Sequence, residues 1–307
     1  MKKFIRNSLL FCIMGIVFFY PLIYIKQILS FSELKKLKIA LLKSDNDKCV
    51  IFFGSSVNKH TAFNDTDKRS IAEMLDSLLT TQKVVGISHK AYQADIYLEY
   101  VRYISKSEKK PIIIIPINLR SFSPSWDLNP GYQFTKEKYL LNGYPSIVNF
   151  KYKVIKETEY NNFPIYYQNK LVGKLQDYLR IPKEYDRLYE MRKYFIFFYM
   201  QQIKSNHRKL KSLLKICELG KENSLRIVMY ITPIDYTNAE QLKIEGFRQH
   251  LCNSVNIIKS TIASYEIELL DLSLMLDSTY FDYNISPNEH LNFNGRREIA
   301  KVLKSIM

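Results

Sequence analysis

The sequence predicts an α/β protein built on a doubly wound, mostly parallel sheet of five strands. The chain contains five short apolar runs rich in β-branched residues, as expected for strands that are covered on both faces. Helical stretches alternate with these runs, which is typical of a parallel sheet with crossover helices. Hydrophobic residues make up 47% of the 307 residues, which supplies a core and excludes a disordered chain.

The predicted strands are residues 49–53, 83–87, 111–117, 226–231 and 266–270. The predicted helices are residues 67–80, 91–106, 190–219, 238–263 and 294–306. Ligands of such folds bind at the carboxyl ends of the strands. The residues that follow each strand are therefore the first candidates for a functional site.

Residues 1–26 predict an N-terminal transmembrane anchor. A charge-free apolar run from Asn7 to Ile25 is long enough, at ~1.5 Å per residue, to cross the ~30 Å hydrocarbon layer. No small-residue cleavage site follows it, which favours an uncleaved anchor over a signal peptide; a buried core helix is a third interpretation. Basic residues before the run favour a cytoplasmic N-terminus and a domain on the other side of the membrane. We expect a single-pass protein of a bacterial-type inner or plasma membrane, with its domain periplasmic or extracellular. The lysines after the run oppose that orientation.

The remaining chain divides into a charged helical neck over 27–48 and an α/β domain over 49–307. An insertion at about 121–190, rich in Tyr and Pro, interrupts the alternation just after a strand end. It is interpreted either as a lid or platform whose tyrosines stack on sugar rings, or as a structural insertion whose aromatics pack inward.

The net charge of +15 favours anionic partners, but a solvated lysine-rich surface accounts for it as well. No nucleic-acid motif is present, so we expect no nucleic-acid partner. Arg120 and Arg296 are expected at the surface, with binding of an anionic substrate as the alternative.

Cysteine and histidine spacing predicts no metal site, and no cofactor is expected. Cys217 and Cys252 either form a bridge or are free buried thiols.

The first strand leads directly into Gly54-Ser55-Ser56-Val57. A serine there projects from the carboxyl edge of the sheet, near a helix N-terminus that favours developing negative charge. A Ser N-cap on a strand-to-helix turn explains the same residues. His290 lies in a polar loop before the last helix, where it can take a proton from that serine or serve as a surface or capping residue.

Gly86 is assigned to the turn Val85-Gly86-Ile87-Ser88-His89 at the carboxyl end of the second predicted strand, and Asn118 follows the third. The backbone N–H groups of Gly86 and Ser56 and the side-chain amide of Asn118 are candidate donors for an oxyanion hole. A turn-forming role for Gly86 and a capping role for Asn118 are the alternatives.

The order Ser56, Gly86, Asn118, His290 resembles the SGNH/GDSL hydrolase-like superfamily, and in particular its membrane-anchored, polysaccharide-modifying branch. The resemblance covers about 49–120 and 225–306. It implies a flavodoxin-like fold, a nucleophilic serine, an oxyanion hole from the Gly and Asn, and a histidine base.

Two residues depart from the family pattern. Where the family usually has an Asp three residues before the His, this chain has Pro287. Asp282 is the tentative replacement, a backbone carbonyl is another, and Asp235 is a fallback acid; Glu289 is adjacent to the His and is expected to point elsewhere. Ser55 stands where the family more commonly has Asp.

The resemblance implies a membrane-anchored serine esterase or O-acyltransferase acting on acyl groups of cell-envelope glycans. Its expected partners are an acylated glycan or other envelope ester, the membrane, and an acyl donor in the membrane. The missing Asp motivates the alternative of a catalytically inactive binding or assembly protein of envelope polysaccharide biosynthesis.

Overall fold

The computed structural model describes residues 2–43, 48–143, 191, 195–282 and 289–307. Most of the predicted insertion, from residue 144 to 190, lies outside the described residues, as does Pro287. The limits of the neck and of the domain stay predictions.

The centre of the fold is a five-stranded sheet in the order β2-β1-β3-β4-β5, and all of its pairs are parallel. The strands are β1 (Cys49–Gly54), β2 (Lys83–Ser88), β3 (Ile112–Ile117), β4 (Ile227–Ile231) and β5 (Glu268–Asp271). The prediction of a doubly wound parallel sheet is confirmed. This order is the flavodoxin-like one, and its ligand crevice is expected where the order reverses, between β1 and β3.

The three central strands are buried at every residue, which explains why their sequences are apolar on both faces. In the register, Ile51 lies beside Ile113, and Ile113 lies beside Ile227. Such ladders of branched side chains pack well on a pleated surface. The rigid sheet thereby fixes the positions of the loops at its carboxyl edge.

Helices cover both faces of this sheet. The helices of the described residues include α1 (Lys2–Ser30), α2 (Ser32–Lys43), α3 (Ser56–Lys59), α4 (Ile71–Leu78), α5 (Ala94–Ser105), α6 (Pro124–Leu128), α7 (Thr135–Leu141), α8 (Arg208–Glu222), α9 (Tyr236–Gln241), α10 (Phe247–Ile262) and α11 (Phe293–Lys304). One apolar layer joins α2, α5, α8 and α10 to the sheet, and the opposite layer joins α4 and α11 to it. Short 3-10 turns span Leu119–Phe122, Pro130–Tyr132 and Ser278–Tyr280.

The N-terminal region is helical. In the part of the chain that the structure describes, no helix combines the length and the apolar character needed to cross a membrane. The transmembrane helix predicted for residues 1–26 is therefore not supported. Residues of the predicted neck form α2, whose Leu34 and Leu37 are fully buried in the core.

The single helix predicted over 238–263 is two helices, α9 and α10. Gly246 separates them with a φ of 67°, a left-handed conformation that glycine adopts without strain. Cys217 and Cys252 are free thiols, so the bridge considered between them does not form.

Candidate active site

Ser56 opens α3 directly after the carboxyl end of β1. Ser55 is the N-cap, and its Oγ accepts the N–H of Val57 at 3.2 Å. The preceding residue must be glycine, because a Cβ on Gly54 would lie 2.5 Å from both Asn58 Cβ and Ser88 Oγ. The capping role belongs to Ser55, which leaves the half-buried Ser56 hydroxyl available for other contacts.

His290 meets Ser56 at this edge of the sheet. Its Nε2 lies 3.1 Å from Ser56 Oγ, and the imidazole is largely buried. The backbone around His290 is fixed, since its carbonyl accepts the N–H of Asp282 at 2.9 Å and the next residue, Leu291, forms a bridge with Phe281. A neutral imidazole at this distance is placed to accept the hydroxyl proton.

Asp282 also lies at the site, but its carboxylate holds a second histidine. Asp282 Oδ2 is 2.7 Å from His60 Nε2, and both side chains are mostly buried. The ring of His60 in turn packs against that of His290, with centroids 4.4 Å apart. Sequence reasoning expected Asp282 to orient His290 and left His60 without a role.

The electrostatic surroundings keep His290 neutral. Burial lowers its pKa to about 3; the charges of Arg120 and His60 add to that lowering, and the Asp282 carboxylate opposes it. At neutral pH the imidazole therefore holds no charge and can accept a proton. Its basicity is nevertheless low for a general base.

Glu289, adjacent to His290, points away from Ser56, as expected. Its buried carboxylate accepts the N–H of Arg120 at 3.4 Å and the hydroxyl of Thr232 at 3.3 Å. Burial raises the pKa of Glu289, and the charge of Arg120 opposes this. Arg120 is buried and lies 4.8 Å from the centroid of the Trp126 ring, so the prediction of a surface position for this arginine was wrong.

Asn118 follows β3, the strand next to β1, and is buried. It precedes a 3-10 turn, yet its side chain makes no capping hydrogen bond, so the capping interpretation is not supported. Among the described residues its Oδ1 has no hydrogen-bond partner. A buried amide without a structural partner, at the point where the strand order reverses, is available for a ligand.

Gly86 does not lie in the turn where the sequence placed it. It is inside β2, paired with Phe52, because the strand continues to Ser88. The N–H of His89 points to β1 and that of Ser88 points outward to Glu33, so by alternation the Gly86 N–H also points outward. The prediction of Gly86 as an oxyanion donor is therefore corrected. The residue instead permits close packing, since a Cβ there would lie 3.1 Å from Ala72 Cβ.

Asp235, the fallback acid, caps a helix. Its Oδ1 accepts the N–H of Asn238 at 3.2 Å, at the start of α9. Burial raises its pKa, which disfavours the charged form that would orient a histidine. Among the described residues no group of three or more His, Cys, Asp and Glu side chains has the arrangement of a metal site.

Arg296 is fully buried rather than exposed as expected. It donates to the carbonyl oxygens of His60 at 3.2 Å and Leu291 at 3.0 Å, and Asp65 is its ion-pair partner. Arg296 thereby connects the segment after Ser56 to the segment that carries His290.

No family model and no curated protein matches the chain. Similar solved structures include a lipase/acylhydrolase from Enterococcus faecalis, with 9% identity, a TM-score of 0.41, and coverage of 84% of this chain and 94% of the other. A GDSL-like lipase from Bacteroides thetaiotaomicron has 8% identity and a TM-score of 0.42, with 89% and 95% covered. An acetyl xylan esterase from Geobacillus stearothermophilus has 11% identity and a TM-score of 0.39, with 83% and 92% covered. At these TM-scores and identities the likeness carries no argument about function.

Proposed function

We propose that the chain is an SGNH-like serine esterase or O-acyltransferase. The observation that carries the proposal is the 3.1 Å distance between His290 Nε2 and Ser56 Oγ at the carboxyl edge of a parallel sheet. A nucleophile within hydrogen-bond reach of a neutral imidazole is the arrangement that acyl transfer requires.

In the proposed reaction, Ser56 Oγ attacks the carbonyl carbon of an ester while its proton passes to His290 Nε2. The side-chain amide of Asn118 and the Ser56 N–H stabilise the oxyanion. Collapse of the tetrahedral intermediate breaks the ester bond, and His290 returns the proton to the leaving alkoxide. Water then releases the acyl group as an acid, or a sugar hydroxyl accepts it and forms a new ester.

We infer that the substrate is an acylated glycan of the cell envelope. A cavity of about 490 Å³ lies beside the turn after β2, and Phe31 and Phe134 line it together with Glu33; Ser56, Asn118 and His290 are not among its lining residues. The half-buried aromatic faces of Phe31 and Phe134 can stack on a sugar ring, and this supports a glycan as the substrate. Such a substrate puts the domain on the periplasmic or extracellular side, and a transferase would draw its acyl group from a donor in the membrane.

The test is labelling with a fluorophosphonate probe, which reacts with activated serines. We expect the parent to be labelled, Ser56→Ala to be unlabelled, and Ser55→Ala to be labelled, because Ser55 serves as a cap. Equal labelling of parent and Ser56→Ala would remove Ser56 as the nucleophile. Hydrolysis of a small acetyl ester, with and without a sugar acceptor, then separates esterase from transferase by its product.

A second candidate, a glycan-binding or assembly protein without turnover, is favoured by one observation. Burial, Arg120 and His60 lower the pKa of His290 to about 3, which weakens it as a base. If Ser56→Ala and His290→Ala bind glycan as well as the parent does, and none of the three turns over an ester, this function is supported. Ester turnover that needs both residues would exclude it.

A further inference from the structure

His60 contacts both members of the Ser56–His290 pair. It ends the short helix that Ser56 begins, and its N–H donates to the Ser56 carbonyl at 2.7 Å. Its ring lies against the His290 ring, with centroids 4.4 Å apart and planes at 40°. A displacement of the His60 ring would therefore change the packing of the His290 imidazole that faces Ser56.

His60 is itself held from two sides. Its Nε2 lies 2.7 Å from Asp282 Oδ2, and the Asp282 side chain is only 6% exposed. The carbonyl oxygen of His60 accepts a hydrogen bond from Arg296. Asp282 also donates its backbone N–H to the carbonyl of His290. Ring and backbone are thus fixed by groups that also fix His290.

We propose that His60, held by Asp282, is a positioning residue that packs against the His290 imidazole, keeps its Nε2 facing Ser56, and sets the pH at which it accepts the serine proton. This inference rests on the proposed function of Ser56 and His290. A ring contact of this kind orients an imidazole by packing, as a carboxylate orients a catalytic histidine by hydrogen bonding.

Charged groups face His290 from three elements. Arg120 lies on the turn after β3, His60 at the end of α3, and Asp282 on the segment that forms the bridge beside His290. Within the described residues, Asp282 pairs with the ring of His60, and the guanidinium of Arg296 donates to its carbonyl oxygen. Burial lowers the pKa of His290, and the positive charges of Arg120 and His60 lower it further. Because the interaction with His60 lowers the pKa of His290, replacing His60 by a side chain that cannot carry a charge is expected to raise that pKa.

The deciding experiment is an NMR titration of the His290 imidazole in the parent, His60→Phe and His60→Gln. Phe keeps a ring against His290, and Gln keeps a donor for Asp282; neither carries a charge. The matched control is His250→Phe, because His250 is a half-buried histidine on α10 that bonds to the Gln201 carbonyl. We expect the pKa of His290 to rise by about one unit in both His60 variants and to stay unchanged in the control. No rise in either His60 variant, or an equal rise in His250→Phe, would overturn the inference.

The second readout is the rate of fluorophosphonate labelling as a function of pH. The acid limb is expected to move to higher pH in both His60 variants, and the plateau rate to fall further in His60→Gln, which loses the ring contact, than in His60→Phe. Equal plateau rates in the two variants would contradict positioning by the ring. If the parent is not labelled at Ser56, the proposed function fails, whereas the NMR titration still decides the role of His60.

Discussion

Arg296 and Asp65 are 231 residues apart in sequence and form an ion pair with 2.7 Å between Nη1 and Oδ2. The Arg296 side chain has no exposed surface, and that of Asp65 is 5% exposed. The same guanidinium binds the carbonyl oxygens of Asp67 and Arg69, so one residue of α11 organises the whole loop after His60. The geometry of the site therefore depends on a residue outside the Ser56–His290 pair.

Removal of the Arg296 guanidinium is expected to lower the free energy of unfolding substantially. Arg296→Met leaves Asp65 and several carbonyl groups buried without their donor, and breaking a buried pair in this way costs about 3–5 kcal/mol. Arg297→Met is the matched control, because Arg297 is the next residue and its side chain is 47% exposed; its expected cost is about 0–1 kcal/mol. Urea unfolding measures both. Similar free energies of unfolding for the two variants would show that the buried contacts contribute little.

A second buried network, around Asp127, predicts the response of stability to acid. Its Oδ1 lies 2.6 Å from Lys209 Nζ and 2.7 Å from Arg208 Nη2. Burial raises the pKa of Asp127, but Lys209, Arg208 and His207 outweigh burial and lower it to about 2. A carboxyl whose folded pKa is depressed stabilises the fold above its unfolded pKa, ~3.9, and loses that contribution as pH falls towards the folded pKa.

Asp127→Asn is therefore expected to be less stable than the parent at pH 7 and to lose less stability between pH 4 and pH 2. Urea unfolding at several pH values measures both quantities. Glu298→Gln serves as the control, since Glu298 pairs with Lys301 on the surface and should leave the parent's pH dependence intact. A pH dependence in Asp127→Asn equal to that of the parent would assign acid sensitivity to other groups.

The strands and the meeting of Ser56 with His290 follow from local patterns and topology. Ile112–Ile117 is an apolar β-branched run, and the carboxyl ends of parallel strands share one edge whatever the sequence between them. The position of Gly86 could not be fixed in this way, because the strand continues to Ser88 and a residue assigned to the turn at its end therefore lies in its interior. The role of His60 does not follow from the sequence because its partner Asp282 is 222 residues away, and the burial of Arg296 does not because its partners are largely backbone oxygens.

The two glycines at this end of the sheet are expected to differ when replaced by alanine. Gly54→Ala puts a Cβ 2.5 Å from Asn58 Cβ, which must displace α3; we expect a loss of about 1–3 kcal/mol and slower labelling of Ser56. Gly86→Ala meets Ala72 Cβ at 3.1 Å, and we expect a stability change within about 1 kcal/mol and near-parental labelling. Urea unfolding and labelling rates measure the two effects. Loss of labelling in a folded Gly86→Ala protein would show that Gly86 does contribute to the active site.

Asn118 is then the remaining side-chain candidate for the oxyanion hole. Its amide is buried at the carboxyl end of β3, makes no capping bond, and has no partner for its Oδ1 among the described residues. Because this amide makes few interactions that stabilise the folded state, Asn118→Ala should unfold at nearly the same urea concentration as the parent. Its kcat for a small acetyl ester should fall by about 10²–10³-fold, since the donor acts where charge develops in the transition state.

Asn118→Asp is a second variant to compare with Asn118→Ala. It keeps the shape of the side chain, removes the donor and adds a negative charge beside the developing oxyanion. Its kcat should lie below that of Asn118→Ala, while KM changes little in either variant, since the ground-state carbonyl gains less from the donor than the oxyanion does. An increase in KM at constant kcat would instead place Asn118 in substrate binding. A parental kcat in Asn118→Ala would leave the backbone N–H groups of the Ser56 turn as the donors that stabilise the intermediate.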